Sequence, residues 1–250
     1  MKVRLDKLLV DRGLASSRER AQALILAGRV LVNEQKQEKP GSSVRDDSSL
    51  RLLGTDLRYV SRGGLKLEAA LGHWRIDLQD RFCADIGAST GGFTDCMLQH
   101  GAAGVLAIDT GYGQIAQRLR DDSRVTLMER TNARLLNPGD LPPGVSFVAM
   151  DVSFISATLV LPPVVTALRH GAGPATAFLE AVILIKPQFE AGREHVGKGG
   201  IVRDPVAHQL SIERLRGCVL ELGGSRIDVI DSPITGTEGN REFLLYAVWQ

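Results

Sequence analysis

The fold of this chain is decided by one stretch in its first half, Asp85-Ile86-Gly87-Ala88-Ser89-Thr90-Gly91-Gly92-Phe93-Thr94. It follows an apolar run, Phe82-Cys83-Ala84, and leads into a segment with helical character. A second apolar run, Val105-Leu106-Ala107-Ile108, ends on the carboxylate of Asp109. This order of features is typical of a nucleotide-binding pocket: a strand, a glycine turn, a helix N-terminus and an acid at the end of the next strand.

The glycine spacing indicates which nucleotide this pocket binds. A dinucleotide fingerprint needs Gly-x-Gly-x-x-Gly, whereas this chain has Asp-x-Gly-x-x-x-Gly-Gly. That pattern resembles the S-adenosylmethionine loop of class I methyltransferases. The resemblance implies that Asp109 binds the ribose hydroxyls and that Asp85 lies near the methionine part. The candidate cofactor-binding residues are Asp85, Gly87, Ser89, Gly91, Gly92, Asp109, Glu129 and Asp151. The alternative is an ordinary β-turn-α corner with a glycine hinge, which the acid after the second strand argues against.

Charge is distributed unevenly along a chain that is ordinary in composition. Hydrophobic residues make up 44%, charged residues 24%, and the formal net charge is +1. Residues 1–29 nevertheless hold seven lysines and arginines against three acids, a net +4 that leaves −3 for the remainder. A basic head on a mildly acidic body is typical of a tethered nucleic-acid-binding module.

Cysteine and histidine usage and the apolar runs exclude several protein classes. The three cysteines are far apart and form no Cys-x-x-Cys, which suits a reducing cytoplasm. The five histidines are scattered, so we expect no metal site. The charged amino terminus is not a secretory signal, and runs such as Ala181–Ile185 are far shorter than the roughly 20 residues of a membrane helix. We therefore expect a cytoplasmic protein without a membrane partner.

Residues 1–56 have the pattern of a small α+β unit. Leu5, Leu8 and Leu9 predict a first helix, Ser16-Ser17-Arg18-Glu19 fits a capping box for a second, and Gly28 ends that helix. Residues 30–32 and 50–52 predict two strands. The segments Arg4–Leu9, Ser17–Ala21 and Ala27–Asn33 resemble the αL-type RNA-binding module first known from a small-subunit ribosomal protein. The resemblance implies RNA contacts by Arg4, Lys7, Arg18, Arg20 and Arg29. A solvated basic helix pair is the alternative.

Residues 61–250 alternate between strand-like and helix-like runs, after a linker at 57–60. Alternation of this kind predicts an α/β fold with a mostly parallel sheet, here seven-stranded, and a binding site at the strand carboxyl ends. The predicted strands are 82–86, 105–109, 125–129, 145–150, 181–186, 227–230 and 243–248. The predicted helices are 64–71, 92–100, 113–120, 155–169 and 205–222. With the glycine loop, this indicates a class I (Rossmann-like) methyltransferase domain.

Four residues at the predicted cleft suggest the reaction. Lys66, Asp151, Lys186 and Glu242, in that order, resemble the catalytic tetrad of FtsJ-type ribose 2′-O-methyltransferases. The Asn/Asp-Pro-Pro-Tyr motif of enzymes that methylate base amines is absent after the fourth strand. Together with the head, the whole chain resembles the TlyA family of ribosomal RNA cytidine 2′-O-methyltransferases. The family matches are Arg62–Leu67, Lys186–Glu190 and Gly239–Glu242.

The chemistry of ribose methylation gives these residue types a reason. A 2′-hydroxyl is a poor nucleophile near neutral pH, so it must lose its proton as the methyl group moves. A buried lysine beside a second cation can have its pKa lowered and act as a base. The resemblance implies that Lys186 is the base or steers the hydroxyl, that Lys66 is its neighbour, and that Asp151 and Glu242 orient the two amines. A structural salt bridge is the alternative for each residue.

Two functions of other classes stay open at this point. One is a non-catalytic RNA-binding or ribosome-assembly factor. The other is a membrane-active haemolysin, a label that the TlyA family has also carried and that no apolar span supports. The resemblance implies ribosomal RNA in a ribosomal subunit as the partner. It favours the large subunit and leaves the small subunit open, because the chain ends almost at its final predicted strand with Trp249-Gln250 and so resembles shorter family members that act on the large subunit only. We expect a monomer or a weak dimer.

Overall fold

The chain forms two compact units, residues 1–57 and 58–250. The structure, a computed structural model, describes residues 2–15, 17–53, 58–170, 178–236 and 238–250. No helix in these ranges is both long and apolar enough to cross a membrane.

The first unit is built on two short helices, α1 (Leu5–Asp11) and α2 (Arg18–Leu26). Ser16, the first residue of the expected capping box, lies outside the described residues. The cap is Ser17, whose hydroxyl accepts a hydrogen bond from the backbone N–H of Arg20 at 3.2 Å. Gly28 ends α2 in the left-handed region at φ 64°, as the sequence predicts.

Five strands complete this unit, two of which the sequence predicts. They are β1 (Lys2–Arg4), β2 (Val30–Val32), β3 (Gln35–Gln37), β4 (Ser43–Arg45) and β5 (Leu50–Leu52). β2 is the centre of a three-stranded antiparallel sheet in the order β3-β2-β5, and β1 pairs with β4. Because β1, β3 and β4 have three residues each and bury little, they leave no alternating apolar pattern to detect.

The second unit has a seven-stranded sheet in the order β11-β12-β10-β9-β6-β7-β8. The five neighbouring strands β10, β9, β6, β7 and β8 are parallel, and β12 runs antiparallel to both of its neighbours. This confirms the predicted fold class. The strands are β6 (Phe82–Ile86), β7 (Gly104–Ile108), β8 (Val125–Met128), β9 (Val145–Met150), β10 (Leu179–Ile185), β11 (Ser225–Asp231) and β12 (Phe243–Trp249).

Helices cover both faces of this sheet. They are α3 (Gly63–Trp74), α4 (Gly92–Gln99), α5 (Gln117–Arg120), α6 (Ala157–His170), α7 (Pro187–Glu190) and α8 (Pro205–Glu221). One core packs α6 and α8 against one face, and a second core packs α3 and α4 against the other. Since successive strand residues face opposite cores, β10 is buried along its whole length, which explains its uninterrupted apolar run.

One predicted helix is shorter than expected. The pattern predicts helix over 113–120, but α5 begins only at Gln117. Gly113 has φ 69°, outside the helical region, and its backbone N–H donates to the Glu129 carboxylate instead of to a helical turn. The periodicity of apolar side chains gives no information about such a backbone constraint.

Candidate active site

A cavity opens where β6, β9 and β10 end at their carboxyl edge. The structure brings together there the four residues that the sequence singles out for chemistry and several from the glycine loop. Its lining includes Ser61, Arg62, Lys66, Asp85, Gly87, Ser89, Gly92, Asp151, Ser153, Lys186, Gly236 and Glu242. Parallel strands place their carboxyl ends at one edge, so side chains distant in sequence meet in this cavity.

The four candidate catalytic side chains form two ion pairs. Lys66 Nζ lies 2.6 Å from Glu242 Oε2, and both side chains are buried. Lys186 Nζ lies 2.5 Å from Asp151 Oδ1 and also donates to Ser153 Oγ at 2.7 Å. Two ammonium groups and two carboxylates leave the set with no net formal charge, which reduces the cost of burying it.

Close packing of two helix N-termini positions Lys66. A Cβ on Gly64 of α3 would lie 2.3 Å from the ring of Tyr59, and one on Gly92 of α4 would lie 2.3 Å from Ser61 Oγ. Only glycine at these positions lets α3 approach the cofactor loop and the start of α4. Gly64 is therefore explained by packing, and this packing places Lys66 at the cavity.

Asp85 is the buried acid at the base of the cavity. Its Oδ2 accepts hydrogen bonds from the Thr94 backbone N–H at 2.8 Å and the Thr94 hydroxyl at 2.6 Å. Its Oδ1 is buried and has no hydrogen-bond partner among the residues that the structure describes. Burial raises the pKa of this carboxyl to about 7, and the nearby Asp151 and Asp109 act in the same direction. An unpartnered carboxylate oxygen suits a cationic ligand group such as an amine.

A second cavity continues from the first past Gly87, Ser89 and Asp151, which line both. Asp109 is at its wall and accepts hydrogen bonds from the backbone N–H groups of Ser89 at 2.8 Å and Gly111 at 2.6 Å. Its other lining residues include Thr110, Asn132, Val152 and Ile155. An elongated slot with a carboxylate near each end fits S-adenosylmethionine, whose amino acid and adenosine parts are joined at the sulfonium.

Glu129 is placed differently from the other cofactor candidates. Its carboxylate pairs with Arg120 and accepts from the Gly113 backbone N–H, and it lines a small separate recess beside Asp109. Arg120 also holds the pKa of Glu129 below its usual value. Asn132, by contrast, lines the main slot.

Two residues of the loop after β9 were not among the sequence candidates. Ser153 lies in the segment 151–156 after β9 and accepts a hydrogen bond from Lys186. Phe154 is 92% exposed and has φ 65°, a conformation that is an outlier for a bulky residue. Its ring centroid lies 5.6 Å from that of Phe189. An aromatic residue in the loop between Asp151 and Ser156 was the available signal.

The Lys186–Glu190 motif also holds this loop in place. Glu190 is buried, and its carboxylate accepts from the Ser156 hydroxyl and from the Ala157 backbone N–H at the start of α6. Burial raises the pKa of Glu190. The segment that carries Lys186 therefore also fixes the far end of the loop that carries Asp151.

The candidate RNA-binding residues of the first unit include two that hold a buried acid. Arg4 and Arg18 both contact Asp6, which is fully buried, while about half of each arginine side chain stays exposed. These contacts, led by Arg4, keep the pKa of Asp6 well below its usual range. Arg29 donates to the backbone carbonyl of Leu53. The remaining candidates are Lys7 and Arg20, of which Lys7 is exposed. The same arginines can thus stabilise the unit and present N–H groups outward.

Among the described residues, no three histidine, cysteine, aspartate or glutamate side chains are grouped so that they could hold a metal ion.

Two protein families match the chain. The FtsJ-like methyltransferase family matches residues 59–248, and the S4 domain family matches residues 3–48. These matches confirm the sequence-based resemblance for both parts of the chain.

Near full-length relatives and solved structures agree with these families. The chain is 44% identical over 246 residues to "16S/23S rRNA (cytidine-2'-O)-methyltransferase TlyA" of Mycobacterium tuberculosis, covering 98% of this chain and 89% of that protein. It is 39% identical to "Hemolysin A" of Brachyspira hyodysenteriae, covering 98% of this chain and all of that protein. A solved structure of a Streptococcus thermophilus protein that carries a hemolysin name superposes with a TM-score of 0.74 at 43% identity, covering 100% of this chain and 89% of that one. The chain therefore belongs to the FtsJ-like methyltransferase family, whose methyl donor is S-adenosylmethionine.

Proposed function

We propose that the protein transfers a methyl group from S-adenosylmethionine to the ribose 2′-hydroxyl of a cytidine in ribosomal RNA, in the cytoplasm. The observation that carries the proposal is the meeting of Lys66, Asp151, Lys186 and Glu242 in one cavity with the free oxygen of Asp85. The cytidine substrate is supported by the name of the Mycobacterium tuberculosis relative. The S4 domain match supports an RNA-binding role for the first unit.

The methyl donor is proposed to occupy the slot between Asp85 and Asp109. Asp85 Oδ1 would accept from its amino group, and Asp109 would bind its ribose hydroxyls. Gly87 lets the ends of β6 and β9 approach each other beside this slot, because a Cβ there would lie 2.6 Å from the Asp151 carbonyl oxygen. The bound donor supplies an electrophilic methyl on a sulfonium, and its carbon–sulfur bond breaks as the bond from the 2′-oxygen forms.

Lys186 handles the proton of the 2′-hydroxyl in this proposal. Asp151 and Ser153 hold its Nζ at the cavity wall at 2.5 and 2.7 Å, which fixes the direction of its remaining hydrogen-bonding position. Glu242 holds Lys66 in the same way on the other side. The Lys186 amine takes part in its neutral form, after its ammonium proton has passed to solvent. It accepts the proton of the hydroxyl as the new carbon–oxygen bond forms, and Asp151 stabilises the ammonium group that results. In-line placement supplies the rest of the rate enhancement.

Phe154 marks the proposed acceptor side of the site. Holding a phenylalanine at positive φ costs conformational energy, and leaving its ring in water gains nothing in the free protein. An exposed ring beside the reacting groups offers a face on which an unpaired RNA base can stack.

Replacing Lys186 tests the proposal directly. Lys186→Ala should lower the single-turnover rate on ribosomal RNA by about two to four orders of magnitude, the usual loss for a general base. Lys186→Arg should not restore it, because guanidinium keeps its proton at accessible pH. Cofactor and RNA affinities should change little, and Lys39→Ala, an exposed lysine of the first unit, should keep the wild-type rate at saturating RNA.

A 2′-deoxy substrate decides where the methyl group goes. Mapping 2′-O-methylation in ribosomal RNA from cells with and without the protein identifies the target nucleotide and its subunit. The same RNA with 2′-deoxycytidine at that position should accept no methyl group. Transfer that persists on the deoxy substrate would place the methyl on the base and would contradict the assigned roles of Lys66, Asp151, Lys186 and Glu242.

A further inference from the structure

A third cavity begins where the reacting side chains end. Ser153, Lys186 and Glu242 line both it and the active-site cavity. A ribose whose 2′-oxygen contacts Lys186 would therefore have its base within reach of this second space. The rest of its lining is Phe154, Gln188, Phe189, Val196, Gly200 and Glu238. We call this space the acceptor pocket.

The walls of the acceptor pocket suit a flat ring. Phe154 and Phe189 contribute aromatic faces with their centroids 5.6 Å apart, and Val196 adds an aliphatic surface. Gly200 adds no side chain, and a Cβ there would lie 2.9 Å from Glu238 Oε2. Aromatic and apolar walls bind any base through its faces, so they do not distinguish one pyrimidine from another.

The polar atoms of the pocket can make that distinction. Gln188 Oε1 is buried and has no hydrogen-bond partner among the described residues. Such an oxygen loses its bonds to water without replacing them in the free protein, a cost that a ligand donor can recover. The Glu238 carboxylate, which lines the same pocket, can only accept hydrogen bonds.

Two hydrogen-bond acceptors in the pocket complement cytosine better than uracil. Cytosine presents an amino group at position 4, where uracil presents a carbonyl oxygen. The amine can donate to Gln188 Oε1 or to Glu238, whereas the uracil oxygen would face acceptors of like polarity. Lys186, the cation of the pocket, is already held by Asp151 and Ser153.

We propose that Gln188 and Glu238 form an acceptor edge that selects cytosine over uracil at the target nucleotide. The inference rests on the proposed function and names the residues that set its base specificity. Gln188 is a specificity residue, distinct from the groups that handle the proton.

Rates on paired RNA substrates test the inference. The substrates are a ribosomal RNA transcript with cytidine at the mapped target and the same transcript with uridine there. The wild-type protein should prefer cytidine in kcat/KM. Gln188→Leu should reduce that preference by about tenfold, since one base-specific contact is worth about ten- to a hundredfold in discrimination. Gln188→Glu keeps an acceptor and should retain the preference.

A matched control removes a glutamine elsewhere. Gln209 lies on the exposed face of α8, and its side chain donates a hydrogen bond to Glu213. Gln209→Leu should therefore leave the cytidine preference unchanged. Unchanged cofactor affinity in Gln188→Leu shows that the variant is folded.

The possible failures are distinguishable. A wild-type preference in Gln188→Leu, or equal wild-type rates on cytidine and uridine with a 2′-hydroxyl, overturns the inference and leaves 2′-O-methylation intact. Transfer to the 2′-deoxy substrate overturns the proposed function itself.

Discussion

At the scale of single residues, the buried carboxyl of Asp85 lowers stability and has a proposed role in cofactor binding. Its folded-state pKa of about 7 lies above the value near 4 of an unfolded aspartate. Between these pH values the folded protein holds a proton that the unfolded chain has released, so its stability falls as pH rises through that window. Asp85→Asn removes this dependence. The variant should have a higher Tm than the wild type at pH 8 and a similar one at pH 4, and an equal or lower Tm at pH 8 would contradict the raised pKa.

The pH dependence of cofactor binding should also reflect the raised pKa of the Asp85 carboxyl. A cationic ligand group favours the carboxylate, so binding at pH 6.5 should release protons and weaken as pH falls further. Calorimetry in two buffers of different ionisation enthalpy measures that release. Asp85→Asn should bind more weakly and release none, whereas Asp140→Asn, at an exposed turn, should behave as wild type.

Gly236 makes room for the carboxylate of Glu242, one of the four residues of the proposed active site. A Cβ there would lie 2.6 Å from Glu242 Oε1, although the backbone is not in the left-handed region. Gly236→Ala should therefore displace Glu242 from Lys66 and lower turnover by about tenfold, within the range expected for small misplacements in an active site. Cofactor affinity should hardly change.

Gly217→Ala is the matched control for this substitution. A Cβ there has nothing within 4 Å, and alanine in the helix α8 should add up to about 1 kcal/mol of stability. Wild-type turnover in Gly236→Ala would show that the Glu242 carboxylate does not need its observed position.

At the scale of elements, α7 couples the two halves of the acceptor side. This four-residue helix begins after Lys186 and ends with Glu190, which binds the first backbone N–H of α6. Glu190→Ala leaves that N–H and the Ser156 hydroxyl without their partner, so it should cost about 1–3 kcal/mol of unfolding free energy. Urea denaturation measures the loss.

Glu190→Ala should also lower the rate of methyl transfer, because Glu190 no longer holds the far end of the loop that carries Asp151 and Ser153. Glu221→Ala, at the exposed C-terminus of α8, should change stability by no more than about 0.5 kcal/mol. An equally small change for Glu190→Ala would show that the loop is held by other contacts.

At the scale of the whole molecule, the two units should divide RNA affinity from chemistry. All of the cavity residues and both sheet-packing cores belong to residues 58–250, while the excess positive charge lies in residues 1–29. A fragment of residues 58–250 should bind S-adenosylmethionine as tightly as the full chain does. Its affinity for ribosomal RNA should drop. The slope of the logarithm of that affinity against the logarithm of the salt concentration should also become shallower, by about 0.7–0.9 for each lost phosphate contact. An unchanged slope in the fragment would assign the phosphate contacts to the second unit.

The amino-acid sequence alone determined the architecture of the second unit. Strands β6, β7, β9, β10 and β12 are mostly apolar because they are buried, and burial leaves a local pattern in the sequence. The spacing from Asp85 to Gly92 likewise reflects a backbone turn made within ten residues. Since parallel strands share one carboxyl edge, the sequence also predicted that Asp85, Asp109, Glu129, Asp151 and Lys186, each at or just past a strand end, would lie at the same edge of the sheet.

The tertiary structure alone decided which of these groups touch. Lys66 pairs with Glu242 across 176 positions because of strand order and the glycine contacts of α3, and neither leaves a periodic trace. The other contacts depend on the tertiary fold in the same way. Ser153 accepts a hydrogen bond from Lys186, Glu129 pairs with Arg120, and Arg4 and Arg18 pair with Asp6. Ion-pair partners depend on distances in space, whereas a sequence pattern reports only which residues are buried and which backbone turns are possible.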